Sequence, residues 1–238
     1  MSIRPQTLSI IGFGAFGQLI ARHLRPHLAL SVCDPRVRSN DLPQVDLAQV
    51  ARADIVVLAV PLPQLAGVLH AIALHLRPGA TVIDVASVKL EPARLMLQIL
   101  PDHVEIIASH PLFGPASAAE GPAGHRIAWC PLRGRGHRRL AAFLRGQGLE
   151  VIETTPDQHD RDMAVVQGLT HLIARSLSRL GPLPRHMATR SFAMLAEAAA
   201  MVQDDSPELL ATILKANPHA ASVRQRFLAE AAGIADEL

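Results

Sequence analysis

Tyrosine is missing from this 238-residue chain, tryptophan occurs once, and aromatic residues make up only 3% of it. So small a supply of flat side chains argues against a base-stacking platform for single-stranded nucleic acid. Charge points the same way: 23 Lys and Arg against 21 Asp and Glu leave a formal +2, which is no footprint for a phosphate backbone. The one basic cluster, Arg133, Arg135, His137, Arg138 and Arg139, flanks Gly134 and Gly136 at an expected helix start and reads as a solvated helix face. Cysteine is scarce as well. Cys33 and Cys130 have neither metal-ligand nor C-x-x-C spacing, which suits a reducing compartment. No apolar run reaches the ~18 residues of a membrane span, and Met1-Ser2-Ile3-Arg4-Pro5 lacks a signal-peptide core. The expectation is a soluble, cytoplasmic chain with no nucleic-acid and no membrane partner.

Apolar residues, by contrast, are plentiful. At 49% hydrophobic content the chain can build a sizeable core, and its length suits one large domain or two modest ones. The 12 histidines exceed what structure alone asks of such a chain.

The segment around which the rest is arranged is Leu8-Ser9-Ile10-Ile11-Gly12-Phe13-Gly14-Ala15-Phe16-Gly17-Gln18-Leu19-Ile20. Apolar residues lead into glycines at G-x-G-x-x-G spacing, and a helical pattern follows. Gly12 permits a tight strand-to-helix turn, Gly14 lets the backbone approach a pyrophosphate, and Gly17 lets the helix pack on its strand. The N–H groups of Phe13, Ala15 and Phe16 and the positive helix end then face the phosphates. A second strand, Leu28-Ala29-Leu30-Ser31-Val32-Cys33, ends in Asp34, an acid about 20 residues on, as a ribose 2′-hydroxyl requires. NAD is therefore the expected cofactor, although Arg36 and Arg38 leave NADP open.

Strand and helix patterns alternate through the first two thirds of the chain. Asp54-Ile55-Val56-Val57-Leu58-Ala59-Val60 is a near-continuous apolar run, as in a strand buried on both faces. Helical spacing occupies residues 64–76, 89–100 and 138–145. Further strands are expected at 80–85, 104–108, 126–130 and 149–153. Such alternation predicts a doubly wound, mostly parallel sheet. At Thr155-Pro156 the character changes: Thr155 can cap a helix with Pro156 at its first position, and Gln158 can complete a capping box. A pattern of about seven turns runs to Leu180, and helices are expected at 186–203, 207–216 and from 219 onward. The fold class is thus α/β with a smaller all-helical domain behind it: a dinucleotide-binding domain over 1–155, and a helical substrate and dimerisation domain over 156–238. That alanine- and leucine-rich second part is expected to bury one side against a second copy of itself.

Ligands of an open parallel sheet sit beyond the carboxyl ends of its strands. Ala59, Val60 and Pro61 fall there and can wall the cofactor. Ser87, in Asp84-Val85-Ala86-Ser87-Val88-Lys89, is a hydroxyl that either caps a helix or serves a site. His110 in Ser109-His110-Pro111-Leu112-Phe113-Gly114 is fixed at a strand end by the following proline, a suitable place for a base. His159 and His171 lie on the long helix with Thr170. They are twelve residues apart and cannot form an i, i+4 metal clasp, so no metal is expected.

Taken together, these motifs resemble the prephenate/arogenate dehydrogenases. The glycine loop, D-x-x-S-V-K at 84–89, H-P-L-F-G at 110–114, and Thr155-Pro156-Asp157-Gln158-His159-Asp160 through Gln167-Gly168-Leu169-Thr170-His171 carry the likeness from residue 7 to about 180. The resemblance implies a Rossmann-type domain, a helical dimerisation domain and a homodimer. It also implies oxidative decarboxylation of prephenate or arogenate in tyrosine biosynthesis. By the same resemblance His110 is the catalytic histidine and Ser87 its partner at the ring hydroxyl. His159, Thr170 and His171 would bind substrate, and Arg190 is the nearest match to the arginine that holds a carboxylate, with Arg175 and Arg179 as alternatives. Two other readings stay open: an imine or β-hydroxyacid reductase of related architecture, and a non-catalytic dinucleotide sensor.

Overall fold

The structure, a computed structural model, describes residues 6–115, 117–184 and 186–238. Residues 1–5, which hold the N-terminal segment without a signal-peptide core, and Ala116 lie outside them. The chain divides into two compact units, Met1–Pro156 and Asp157–Leu238.

The first unit holds one seven-stranded sheet. In chain order it runs β1 (Thr7–Ile11), α1 (Ala15–Leu24), β2 (Ala29–Cys33), α2 (Leu47–Val50), β3 (Ile55–Leu58), α3 (Leu62–Ala73), β4 (Thr81–Asp84), α4 (Leu90–Ile99), β5 (Glu105–Pro111), β6 (Arg126–Arg133), α5 (His137–Gly146) and β7 (Glu150–Glu153). The spatial order is β2-β1-β3-β4-β5-β6-β7. All neighbours are parallel except β5 and β6, which pair antiparallel. This is the doubly wound, mostly parallel Rossmann-type sheet expected from the sequence. Its order reverses between β1 and β3, and crevices for ligands open at such reversals.

The alternation of side chains along each strand, with a period of two, divides the core into two layers. Val56, Leu58, Val82, Ile106, Ala108 and Cys130 pack on one face under α2, α3 and α4. Leu8, Ile10, Ile55, Val57, Ile83, Ile107, Ile127 and Trp129 pack on the other with residues of α1 and α5. Strands buried on both faces carry no polar alternation, which explains the unbroken apolar run of β3.

Several boundaries differ from the sequence reading. The fifth strand continues past Ala108 through Ser109, His110 and Pro111, because those residues pair with Trp129, Ala128 and Ile127 of β6. The sixth runs on to Arg133 instead of stopping at Cys130. Helix α4 opens at Leu90 with Lys89 at its N-cap, so Ser87 is not its capping residue. The start of α5 is not simply a solvated basic face: the Glu105 carboxylate accepts the backbone N–H groups of Arg135 (3.0 Å) and Gly136 (2.8 Å). Arg133 points back to the carbonyls of Leu100 and Pro101.

The second unit is helical. Helix α6 (Pro156–Arg179) is followed by α7 (Arg190–Met201), α8 (Pro207–Ala211), a π-helical turn (Thr212–Ala216) and α9 (Ala220–Glu237). Its 24 residues make α6 about 36 Å long, and Asp160, Ala164, Gly168 and His171 give it one buried stripe. Helix α7 begins at Arg190, not 186, where the Thr189 hydroxyl accepts the Phe192 N–H. No helix among the described residues is long and apolar enough to cross a membrane.

Candidate active site

The glycine turn closes on the next strand in space. The Gly12 N–H donates to the Cys33 carbonyl (2.9 Å), and the Ala59 N–H donates to the Ile11 carbonyl (2.8 Å). Gly12 has φ +94°, and a Cβ there would collide with the Ala59 carbonyl oxygen and press on Val60. Ala59 and Val60, expected as a wall, therefore touch the turn itself. A Cβ on Gly17 would collide with the Gly12 carbonyl, so the turn can pack only against a bare α1. Gly14 differs: a Cβ there meets nothing of the protein within 4 Å. Gly14 caps α1 without a side-chain hydrogen bond, and the first turn of α1 holds no acid. Open space before a helix end with uncapped N–H groups fits a dinucleotide pyrophosphate. Pro61 stands at the N-cap of α3.

Asp34 has more partners than its sequence position suggested. Its carboxylate accepts the N–H groups of Phe13 (2.7 Å), Arg36 (2.7 Å) and Val37 (2.8 Å). Burial raises its pKa, but these backbone bonds and the Arg36 charge outweigh that, so the carboxyl lies below its ordinary value. With about four acceptor sites, a carboxylate retains room for a ribose hydroxyl. Because the folded-state pKa is depressed, the stabilisation is complete above the unfolded value of about 3.9 and is lost as pH falls through the folded value. Hydrogen exchange at the Phe13 amide should accordingly stay protected down to about pH 4; protection lost near neutrality would disprove the tie.

At the far end of β4 and β5 lies a buried polar knot. Lys89 is fully buried and pairs with the Asp84 carboxylate. Its Nζ also donates to the Ser109 carbonyl at 2.6 Å. The Ser109 hydroxyl donates to the Asp84 carbonyl at 2.7 Å, and the Ala86 N–H donates to the Asp84 carboxylate at 3.0 Å. Burial pushes the Asp84 carboxyl up, against the pull of the Lys89 ammonium. Ser87, half-buried, sits in the loop this knot spans, and His110, 4% exposed, directly follows Ser109. Strands β4 and β5 are parallel neighbours with Asp84 opposite Ala108, so the Ser87 loop and His110, near the end of β5, lie along the same carboxyl edge as the glycine turn. Three residues past His110, the Phe113 ring rests on Phe16 of the glycine motif (centroids 6.3 Å apart) and on His125 (5.0 Å). Neither this aromatic contact nor the lysine knot was read from the sequence; the apolar and ionic residues carry no sign of their distant partners.

The second-unit residues have their own surroundings. His159 is buried, and its Nδ1 donates to Asp160 Oδ1 (2.8 Å). Both ring nitrogens of His171 face acceptors: the Gln167 carbonyl (2.9 Å) and Asp205 Oδ2 (2.9 Å). The Thr170 hydroxyl donates to the Val166 carbonyl (2.7 Å) within its own helix. Arg190 is exposed at the first position of α7. His219, not singled out in the sequence, reaches Asp157 across 62 residues at 2.9 Å, and Asn217 donates to the Asp160 carbonyl at 2.7 Å. Among the described residues no group of three or more His, Cys, Asp or Glu side chains is placed to hold a metal ion.

A doubly wound sheet with a bare glycine turn at its reversal point, joined to a helical unit, defines a two-part nucleotide-binding protein. More particularly, the chain belongs to the prephenate dehydrogenase family. Its nucleotide-binding domain model matches residues 36–169 and its dimerization domain model residues 155–238, so the glycine turn lies ahead of the matched part. A probable arogenate/prephenate dehydrogenase of Methanocaldococcus jannaschii is 29% identical over 190 residues, 74% of this chain and 42% of that protein. Arogenate dehydrogenase 2 of Arabidopsis thaliana is 27% identical over 239 residues, 92% of this chain and 66% of that protein. The chain thus spans about half the length of the relatives it matches. A crystal structure of the Aquifex aeolicus prephenate dehydrogenase with hydroxyphenyl propionate and NAD+ superposes with TM-score 0.77 at 19% identity, covering 99% of this chain and 91% of that one. This likeness is one of fold.

Proposed function

We propose that the protein oxidatively decarboxylates prephenate or arogenate with NAD, forming the aromatic ring of a tyrosine precursor or of tyrosine. The reading rests on family membership and on one observation: His110, the Ser87 loop and the open glycine turn share the carboxyl edge of the sheet. Gly14, Ala15, Phe16 and Gly17 would hold the pyrophosphate at the uncapped start of α1, with Gly12 and Phe13 shaping the turn: the Phe13 N–H, expected to face the phosphates, is taken by Asp34, and the Gly12 N–H by the Cys33 carbonyl. Asp34 would hold the adenosine ribose, and Ala59, Val60 and Pro61 would form the wall beyond. When bound, the nicotinamide supplies the hydride acceptor for the ring carbon that bears the hydroxyl.

His110 takes the hydroxyl proton as that carbon becomes carbonyl-like, the work of a neutral imidazole. Ser87 holds the same oxygen or orients the imidazole. Loss of the ring carboxylate as CO2 leaves its electron pair in the ring, which becomes aromatic. The exposed Arg190 suits a substrate carboxylate, by a bidentate fork. For His171 to bind one it must exchange Asp205, Thr170 must leave Val166, and His159 must offer the nitrogen opposite Asp160.

Asp34 favours NAD, because a carboxylate repels a 2′-phosphate; the exposed Arg36 and Arg38 are the residues that would oppose it. Steady-state turnover of both substrates with both cofactors tests the reading. A higher kcat/KM with NAD is expected, and turnover of neither substrate with either cofactor refutes the function.

We infer further that the helical unit is the interface of a homodimer. The dimerization-domain match supports this, and the unit carries exposed apolar residues, among them Met187, Met194, Met201, Leu228 and Ile234, that a second copy could cover. Sedimentation at micromolar concentration should give the dimer mass, and a monomer would remove the inference.

A further inference from the structure

Lysine is almost never fully buried unless it is paired, and Lys89 is fully buried. It stands at the N-cap of α4, between the loop that carries Ser87 and the strand that carries His110. Its ammonium joins the two: one contact goes to the Asp84 carboxylate, where the loop begins, and one to the Ser109 carbonyl, the residue before His110. A second tie runs back from the Ser109 hydroxyl to the Asp84 carbonyl at 2.7 Å. For stability alone this is a poor device, since well-packed apolar residues often replace a buried ion pair at no cost. For fixing two chain segments at one spacing it is a good one, because charged hydrogen bonds are short and directional.

We propose that Lys89 is a positioning residue, whose ammonium braces the Ser87 loop against the His110 strand so that both side chains meet one substrate oxygen. The inference rests on the proposed function for its catalytic readout, but the brace itself is a matter of where the His110 ring sits. A brace of this kind acts on the spacing of Ser87 and His110, so it predicts a change in rate and not in dinucleotide affinity. Displacing a reacting group by about 1 Å costs on the order of 100-fold in rate.

The test uses the full chain with Lys89→Met, an apolar side chain of similar length. That change strands the Asp84 carboxylate, and the variant can fail to fold for this reason alone. The double variant Asp84→Asn/Lys89→Met removes both charges while keeping their shapes, and it is the decisive one. Expected for the folded double variant are NAD affinity within about threefold of the parent, KM within about threefold, and kcat lower by about 10- to 100-fold. The His110 ring signal in the histidine NMR spectrum, assigned by its loss in His110→Asn, should be displaced. A folded double variant with kcat within twofold of the parent and an unmoved His110 signal overturns the proposal. If the parent turns over neither substrate, the proposed function has failed, and the His110 signal alone decides: displaced supports the brace, unmoved rejects it.

Discussion

His110→Asn is expected to lower kcat by about 10²–10⁴, the usual contribution of a general base, with NAD affinity unchanged. The imidazole sits one residue from the end of β5, is buried, and precedes a proline that restricts its backbone. If it takes the ring-hydroxyl proton, the gain exists only in the transition state, so kcat falls with kcat/KM and substrate binding is spared. The base must be neutral to act. Parent activity should therefore rise with pH along its acid limb as the imidazole loses its proton, and His110→Asn should lose that limb. Ser87→Ala should cost less, because the base stays in place. A His110→Asn enzyme that keeps most of its kcat and its acid limb would move the base elsewhere.

The glycine turn should give the second large effect, with two distinguishable signatures. Gly12→Ala forces an L residue to φ +94° and drives its Cβ into the Ala59 carbonyl. Backbone strain of this kind costs about 1–3 kcal/mol, so both the melting temperature and dinucleotide affinity should fall, the latter by about 10- to 100-fold if binding must restore the turn. Gly14→Ala places its methyl in open space at an unstrained φ of −64°. Its melting temperature should stay at the parental value while NAD affinity still drops, because that space is where a pyrophosphate belongs. Equal NAD affinity in Gly14→Ala and the parent would mean that the phosphates lie elsewhere.

Much of the fold could be read from local pattern. The glycine spacing, the apolar run of β3 and the proline at the start of α6 each act over a few residues, and each appears where the sequence places it. What escaped reading depends on distant partners. The local pattern ends the fifth strand at Ala108, because nothing local announces that Ser109, His110 and Pro111 will pair antiparallel with β6. Lys89 reads locally as an ordinary first helical residue, since one of its partners, Ser109, lies 20 positions on. Asp34 was legible as a ribose acid but not as a clamp on Phe13, which only the β1–β2 register brings near. The second-unit histidines show the same limit: His171 meets Asp205 and His219 meets Asp157 only after the helices fold back. Thr189, by contrast, is a local capping signal for α7, inside the helix that spacing alone would begin at 186.

In the proposed reaction each oxidation of the ring carbon is accompanied by release of the ring carboxylate. The most direct measurement mixes the chain with NAD and with prephenate or arogenate carrying a labelled ring carboxylate, and counts labelled CO2 against NADH formed. One CO2 per NADH is predicted, at a rate that His110→Asn lowers by about 10²–10⁴. NAD bound tightly with neither product formed, or NADH formed without CO2, would contradict it.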